Sequence, residues 1–163
     1  MIRIRSAASA DLETIVEFNA LLARETEQKE LDRAVLTSGV ERALTHPELC
    51  HYFVAEISGG TAISGKIVGQ TMVTYELTDW RNGVLYWIQS VYVRQAFRGQ
   101  GVFRALFNHV LETAKADANG RGVRLYVEHT NANALATYQR LGMRPSGHLL
   151  YEIDWSGLNG ATH

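Results

Sequence analysis

Apolar and polar residues change period several times along the chain, and each change marks an element. Ile2 to Arg5 alternates apolar and basic residues, as a short strand does. Ser9 or Asp11 then caps a helix whose apolar positions are Leu12, Ile15, Val16, Leu21 and Leu22. A polar connection, Arg24 to Glu30, leads to a second helix expected over Asp32 to Leu44, weakened by Gly39 and ended before Pro47. From His51 the pattern is strand-like: Tyr52 to Ile57, a turn through Ser58-Gly59-Gly60, then Lys66 to Glu76. The Asn82-Gly83 pair marks a tight reversal into Val84 to Val93, apolar on both faces except at Gln89 and Ser90 and therefore central in a sheet. Phe103, Leu106, Phe107, Val110, Leu111 and Ala114 then recur at helical spacing, up to a stop near Asn119-Gly120. Val123 to Glu128 reads as a strand that, reached through a helix, runs parallel to the previous one. A short helix over Asn131 to Leu141 closes at Gly142, Leu149 to Trp155 reads as a last strand, and the tail beyond Trp155 is small and polar.

Composition narrows the class of molecule. A chain of 163 residues suits one well-buried core, so a single domain over residues 1–163 is expected. With 46% hydrophobic and 20% charged residues and a net charge of −1, it carries no basic footprint for nucleic acid. No stretch approaches about 18 apolar residues and the N-terminus does not read as a leader, so neither a membrane nor export is expected and the location reads as cytoplasmic. Cys50 is the only cysteine, which excludes an intrachain disulfide and a cysteine-based zinc knuckle, and no neighbour in sequence activates it as a nucleophile. No His/Cys/Asp spacing suggests a metal.

Chemistry concentrates where the central strand breaks into Arg94-Gln95-Ala96-Phe97-Arg98-Gly99-Gln100-Gly101 and then a helix. A helix N-terminus offers N–H groups without intrahelical partners and the positive end of the macrodipole, which suits phosphate. Gly99 and Gly101 allow close backbone approach, and Arg98 and Arg104 add charge. A P-loop would need Lys and Ser or Thr after the last glycine, where Val102 and Phe103 stand. A dinucleotide fingerprint would need a third glycine, and none follows at the proper spacing.

Two motifs make the chain resemble the GNAT superfamily of acyl-CoA-dependent N-acyltransferases: the loop with Arg98 and Gly101, and Asn131-x-x-Ala134-x-x-x-Tyr138 followed by Gly142-Met143. Met143 stands where that family commonly has Phe, and Phe103 where it has a small residue; the ring of Phe103 is expected to turn into the core. The resemblance implies an α/β domain with a mixed, twisted sheet of about six to seven strands, helices on both faces, and a central strand and parallel neighbour that splay apart to admit coenzyme A. It implies acetyl-CoA as the cofactor, its diphosphate bound by backbone N–H groups along Arg98, Gly99, Gln100, Gly101, Val102, Phe103 and Arg104. Val91 or Val93 would supply the N–H that receives the developing oxyanion. Tyr138 would protonate the departing thiolate. Asn131, which reads equally as a helix cap, would also touch the cofactor.

The amine must lose a proton, and Gln89 cannot take it. Glu76 and Glu128, each at the end of an expected strand, are the candidate bases; His129 or a water chain remain alternatives. Glu25, Glu27, Glu76 and Asp79, with Trp80 and Tyr75, would suit a cationic amine, while Arg81 would pair with an acid or a substrate carboxylate. The expected function is acetyl transfer from acetyl-CoA to a primary amine of a small molecule. A protein or peptide acceptor, a non-catalytic acyl-CoA sensor and a generic nucleotide-binding module stay open, as does a homodimer.

Overall fold

Alternation at the N-terminus produces β1 (Ile2–Ser6), and a short 3-10 turn at Ser9–Asp11 leads into α1 (Leu12–Glu27). The computed structural model describes residues 1–60 and 62–156 of the chain. Asp11 starts the helix without capping it conventionally: its carboxylate accepts the Ala8 N–H and is gripped by both terminal nitrogens of Arg5, at 2.7 and 2.9 Å. Ile15, Val16, Phe18 and Asn19 form the buried stripe of α1, whereas Leu21 and Leu22 are only partly covered. Asp32 caps α2 (Arg33–Thr45), its side chain accepting the Val35 N–H at 2.9 Å. The β-branched and aromatic run that follows gives β2 (Cys50–Ile57), then β3 (Ile67–Thr78) and β4 (Gly83–Val93), with Asn82 left-handed at the reversal between the last two. The amphipathic segment after the glycine loop is α3 (Val102–Ala116), followed by β5 (Gly120–Leu125). The last helix is α4 (Ala132–Arg140).

The strands form one sheet in the order β1-β2-β3-β4-β5, antiparallel except for the parallel β4–β5 pair. Parity along β2 separates the two faces. Tyr52 and Val54 join Ile15, Val16 of α1 and Val40 of α2 in one apolar cluster, while Phe53 turns the other way and meets His109 of α3 edge-on at 4.8 Å. Helices therefore cover both faces, as expected. Each large apolar side chain enclosed this way contributes roughly 1.5–3 kcal/mol.

Five strands appear among the described residues, fewer than the six to seven expected. Residues 149–155, read as a last strand from their apolar run, lie outside any strand. A strand has no hydrogen bonds of its own, so an apolar pattern makes one only where a neighbouring edge is available to pair. The polar tail, from residue 157, lies outside the described residues. The described residues divide into two compact units, residues 1–126 and those from 127 to 156. The first holds the sheet and α1 to α3, the second α4.

Candidate active site

The glycine loop is built by backbone geometry. Arg94 is tied to the sheet by its N–H on the Val68 carbonyl, and a short 3-10 turn at Gln95–Phe97 brings the chain to Gly99 and Gly101, with φ of +75° and +82°. A Cβ at either glycine would meet open space, so their side of the loop is clear, and the left-handed turn itself explains why glycine stands there. Gly101 begins α3 without a side-chain cap, and the first intrahelical bond runs from the Ala105 N–H to the Gly101 carbonyl at 2.9 Å. The helix thus presents the N–H groups of its first turn and its positive end where the loop is open.

Around this loop the expected residues divide. Val102 is buried and anchors the helix by its side chain against Gly69, where a Cβ would stand only 2.9 Å from the Val102 Cγ1. The Phe103 ring lies 6.1 Å from Phe107, one turn along the same helix. Gln100 turns its amide back to the Ala96 carbonyl at 2.9 Å. Arg104 is exposed and makes no hydrogen bond or ion pair among the described residues, so its charge is available. Arg98 is already committed. Its Nε donates to the Val93 carbonyl at 2.9 Å, its Nη2 pairs with Glu25 at the end of α1, and its guanidinium lies 5.5 Å from the Tyr92 ring. The Tyr92 hydroxyl donates to the same Glu25 at 2.9 Å. Arg98 therefore holds the Glu25 carboxyl below its usual range, and burial, reinforced by Glu25, pushes the Tyr92 phenol up. Open glycines, a helix N-terminus and Arg104 fit the diphosphate of an acyl-CoA, with Arg98 bracing the loop from below.

β4 leaves β5 before it reaches this loop. Their ladder runs from Val84↔Gly120 to Ile88↔Leu125 and stops, while β4 continues through Val93. On the other side of β4 the register slips between Gln70↔Tyr92 and Met72↔Gln89, so Ser90 and Val91 oppose Thr71 alone, and Ser90 takes φ +48°. A bulge of this kind bends its strand. Within residues 1–126, Val91 and Val93 thus lie on a stretch whose far edge carries no strand.

A buried polar chain that sequence reasoning missed underlies the bulge. Fully buried Gln70 donates its Nε2 to Asn19 at 2.7 Å and to the Ser90 carbonyl at 3.4 Å, and Asn19 donates to the Tyr52 hydroxyl at 3.0 Å. Burial pushes the Tyr52 phenol up. Gln70 inside the Val68–Val73 run and Asn19 on the stripe of Ile15, Val16 and Phe18 were the available signals: polar side chains on apolar faces must find partners.

The expected acidic wall is mostly paired. Besides Glu25 with Arg98, Glu27 pairs with Lys29 at 2.9 Å. Asp79 accepts the Trp80 N–H, and Arg81 reaches the Thr78 hydroxyl at 3.4 Å. Glu76 lies on the α1 face of the sheet, where the Trp87 indole donates to it and Arg124 Nη1 stands 3.4 Å from both its oxygens. Tyr75 points to the α3 face, edge-on to Tyr86 at 5.1 Å, so it shares no surface with Glu76. Gln89 donates to Thr74 at 2.6 Å.

In the second unit, the Asn131 side chain accepts the Ala134 N–H at 3.0 Å and caps α4, one of its two expected roles. Tyr138 is in the last turns of that helix, half-buried, and burial pushes its phenol up, so the hydroxyl keeps its proton at neutral pH. Glu128 is not at a strand end as expected: β5 stops at Leu125 with the β4 ladder, and the Glu128 carbonyl instead accepts the Asn131 N–H at 2.9 Å. Glu128 and His129 are both exposed. Cys50 is buried, which pushes its thiol up and away from nucleophilic use.

The model of the acetyltransferase (GNAT) family matches residues 13–143. Among solved structures, a possible acetyltransferase from Clostridium difficile 630 is 45% identical with a TM-score of 0.85, over 94% of this chain and 97% of that one. The glucosamine-6-phosphate N-acetyltransferase of Arabidopsis thaliana, 19% identical, superposes with a TM-score of 0.71 over 94% of this chain and 98% of its own. The ribosomal-protein-alanine N-acetyltransferase of Brucella melitensis biovar Abortus 2308, 14% identical, gives 0.74 over 95% and 99%. These last two share the fold. No protein with a curated function matches the chain.

Proposed function

We propose, from the premise that this chain belongs to the acetyltransferase (GNAT) family, that it moves an acetyl group from acetyl-CoA to a primary amine of a small molecule. The observation that carries this reading is the open glycine turn at the N-terminus of α3, which follows the stretch of β4 that outruns β5. The backbone N–H groups from Gly99 to Arg104, with the Arg104 side chain, would hold the diphosphate, and Asn131 would contribute a further polar contact. Acetyl-CoA supplies the activated acyl group, whose C–S bond breaks as the amine's N–C bond forms.

The residues of the chain manage position and protons. Most of the acceleration in such a reaction comes from holding two reactants together in one orientation. The edge of β4 at Val91 and Val93, which carries no strand within residues 1–126, suits donation to the acyl oxygen as charge builds on it. Tyr138, whose raised phenol holds its proton at Oη, is the acid proposed for the departing sulfur. The amine's proton passes to Glu76 or Glu128, directly or through water. Of these, Glu76 already receives the Trp87 indole and faces Arg124, so it is fixed in place, while Glu128 is exposed.

A screen that follows free thiol release against amines, amino acids, polyamines, aminoglycosides and peptides tests the assignment. Thiol release with a small amine is expected, together with calorimetric binding of coenzyme A that ATP does not match. Binding without release for every acceptor would leave an acyl-CoA sensor in place of an enzyme, and equal binding of ATP would leave a generic nucleotide site.

A further inference from the structure

The α1 face of the sheet carries, one pair before β4 and β5 part, a cluster that the transfer reaction alone does not require. Trp87 and Arg124 are register partners across the parallel ladder, and Ile88↔Leu125 is the last pair beyond them. The Arg124 guanidinium lies 5.7 Å from the Trp87 ring, and the Trp87 and Tyr126 rings stack at 4.4 Å and 31°. Glu76 holds the arrangement from β3, receiving the Trp87 indole and facing Arg124 Nη1.

Only one side of the guanidinium is used. A guanidinium has five N–H donors in a rigid fork. Arg124 spends Nη1 on Glu76 and makes no other hydrogen bond among the described residues, which leaves the Nε/Nη2 edge open on a side chain that is 32% exposed. That edge matches a carboxylate bidentately. Beside it, Tyr126 is 53% exposed and gives the aromatic pair an outer face. Of the four acids expected to draw a merely cationic amine, Glu25, Glu27 and Glu76 each face a cation, and Asp79 accepts the Trp80 N–H.

We propose that Arg124 sets acceptor specificity and that the acceptor is a small amine which also carries a carboxylate, its apolar body lying on the Trp87–Tyr126 pair. The inference rests on the transferase reading for the direction in which the amine must point, toward the edge of β4 at residues 89–93. Glu76 is then a positioning residue for Arg124, whatever part it takes in proton transfer.

Tyrosine and tyramine, which differ only by the carboxylate, separate the possibilities on the full-length chain. Calorimetry is expected to show tyrosine binding about ten- to a hundredfold more tightly, the range for hydrogen bonds to a charged group. Arg124→Met should bring the ratio to about one and Arg124→Lys should keep part of it, each variant first checked for a native melting midpoint and for acetyl-CoA affinity within about twofold of the parent. Equal binding of the two ligands, no binding of either, a preference that survives Arg124→Met, or a preference for an amine whose anion is a phosphate overturns the inference. Thiol release is read separately. A carboxylate preference without release sinks the transferase reading and leaves this site standing, whereas release with no such preference does the reverse.

Discussion

At the scale of single residues, the sharpest expectation concerns Tyr138. Its phenol keeps its proton at neutral pH, as the acid of the proposed step must, so Tyr138→Phe should lower kcat about a hundredfold, the range for loss of a general acid, while the acetyl-CoA dissociation constant stays within about twofold. Steady-state kinetics beside calorimetry measure both, and unchanged turnover would remove Tyr138 from the chemistry. Sequence reading succeeded for residues whose job is local. Asn131 caps the helix it precedes, and Gly99 and Gly101 turn the chain as their lack of Cβ permits. It misjudged residues whose partners are remote. Arg98 meets a carboxylate 73 positions away, and Glu76 meets a guanidinium 48 positions away, so neither is the free charge that its neighbours in sequence suggested.

At the scale of elements, the start of α3 is set by how closely that helix can approach the sheet. Gly69 of β3 makes room for the buried Val102, and a Cβ there would stand 2.9 Å from Val102 Cγ1 and 3.1 Å from the Tyr92 carbonyl. A β-branched neighbour in a close-packed core has little freedom to yield. Gly69→Ala is therefore expected to cost about 1–3 kcal/mol, the usual range for overpacking, and to weaken coenzyme A binding by moving the helix N-terminus. Urea denaturation and calorimetry on the same variant check this; full stability with unchanged affinity would mean that the approach of α3 does not set the cradle. The helices and the first four strands were legible to within a few residues because period and capping are local signals. The end of β5 was not: its ladder with β4 stops at Ile88↔Leu125, a matter of pairing between separate segments that no local pattern records.

Across the whole molecule, acid sensitivity should centre on the knot that fastens β1 to the start of α1 and to β2. Arg5 bonds Asp11 through both terminal nitrogens and Glu56 through Nε at 2.7 Å, and the Asp11 side chain is only 8% exposed. The Arg5 hydrogen bonds hold the folded Asp11 carboxyl below its ordinary value, so this group's contribution to stability is complete above the ordinary carboxylate range and is lost as pH falls through the lowered value. Asp11→Ala should cost about 2–3 kcal/mol near neutral pH and flatten the acid limb of the stability curve; urea midpoints between about pH 2 and 6 measure both. A limb as steep in the variant as in the parent would place the sensitivity elsewhere. The sequence by itself determined the helices, the first four strands and their order, the glycine turn and the family, because backbone sterics, periodicity and capping act over a few residues. Only the tertiary structure decided where β4 parts from β5, which acids are already paired and which nitrogen of Arg124 meets Glu76, because those outcomes depend on charges and strand edges that chain folding brings together from distant positions.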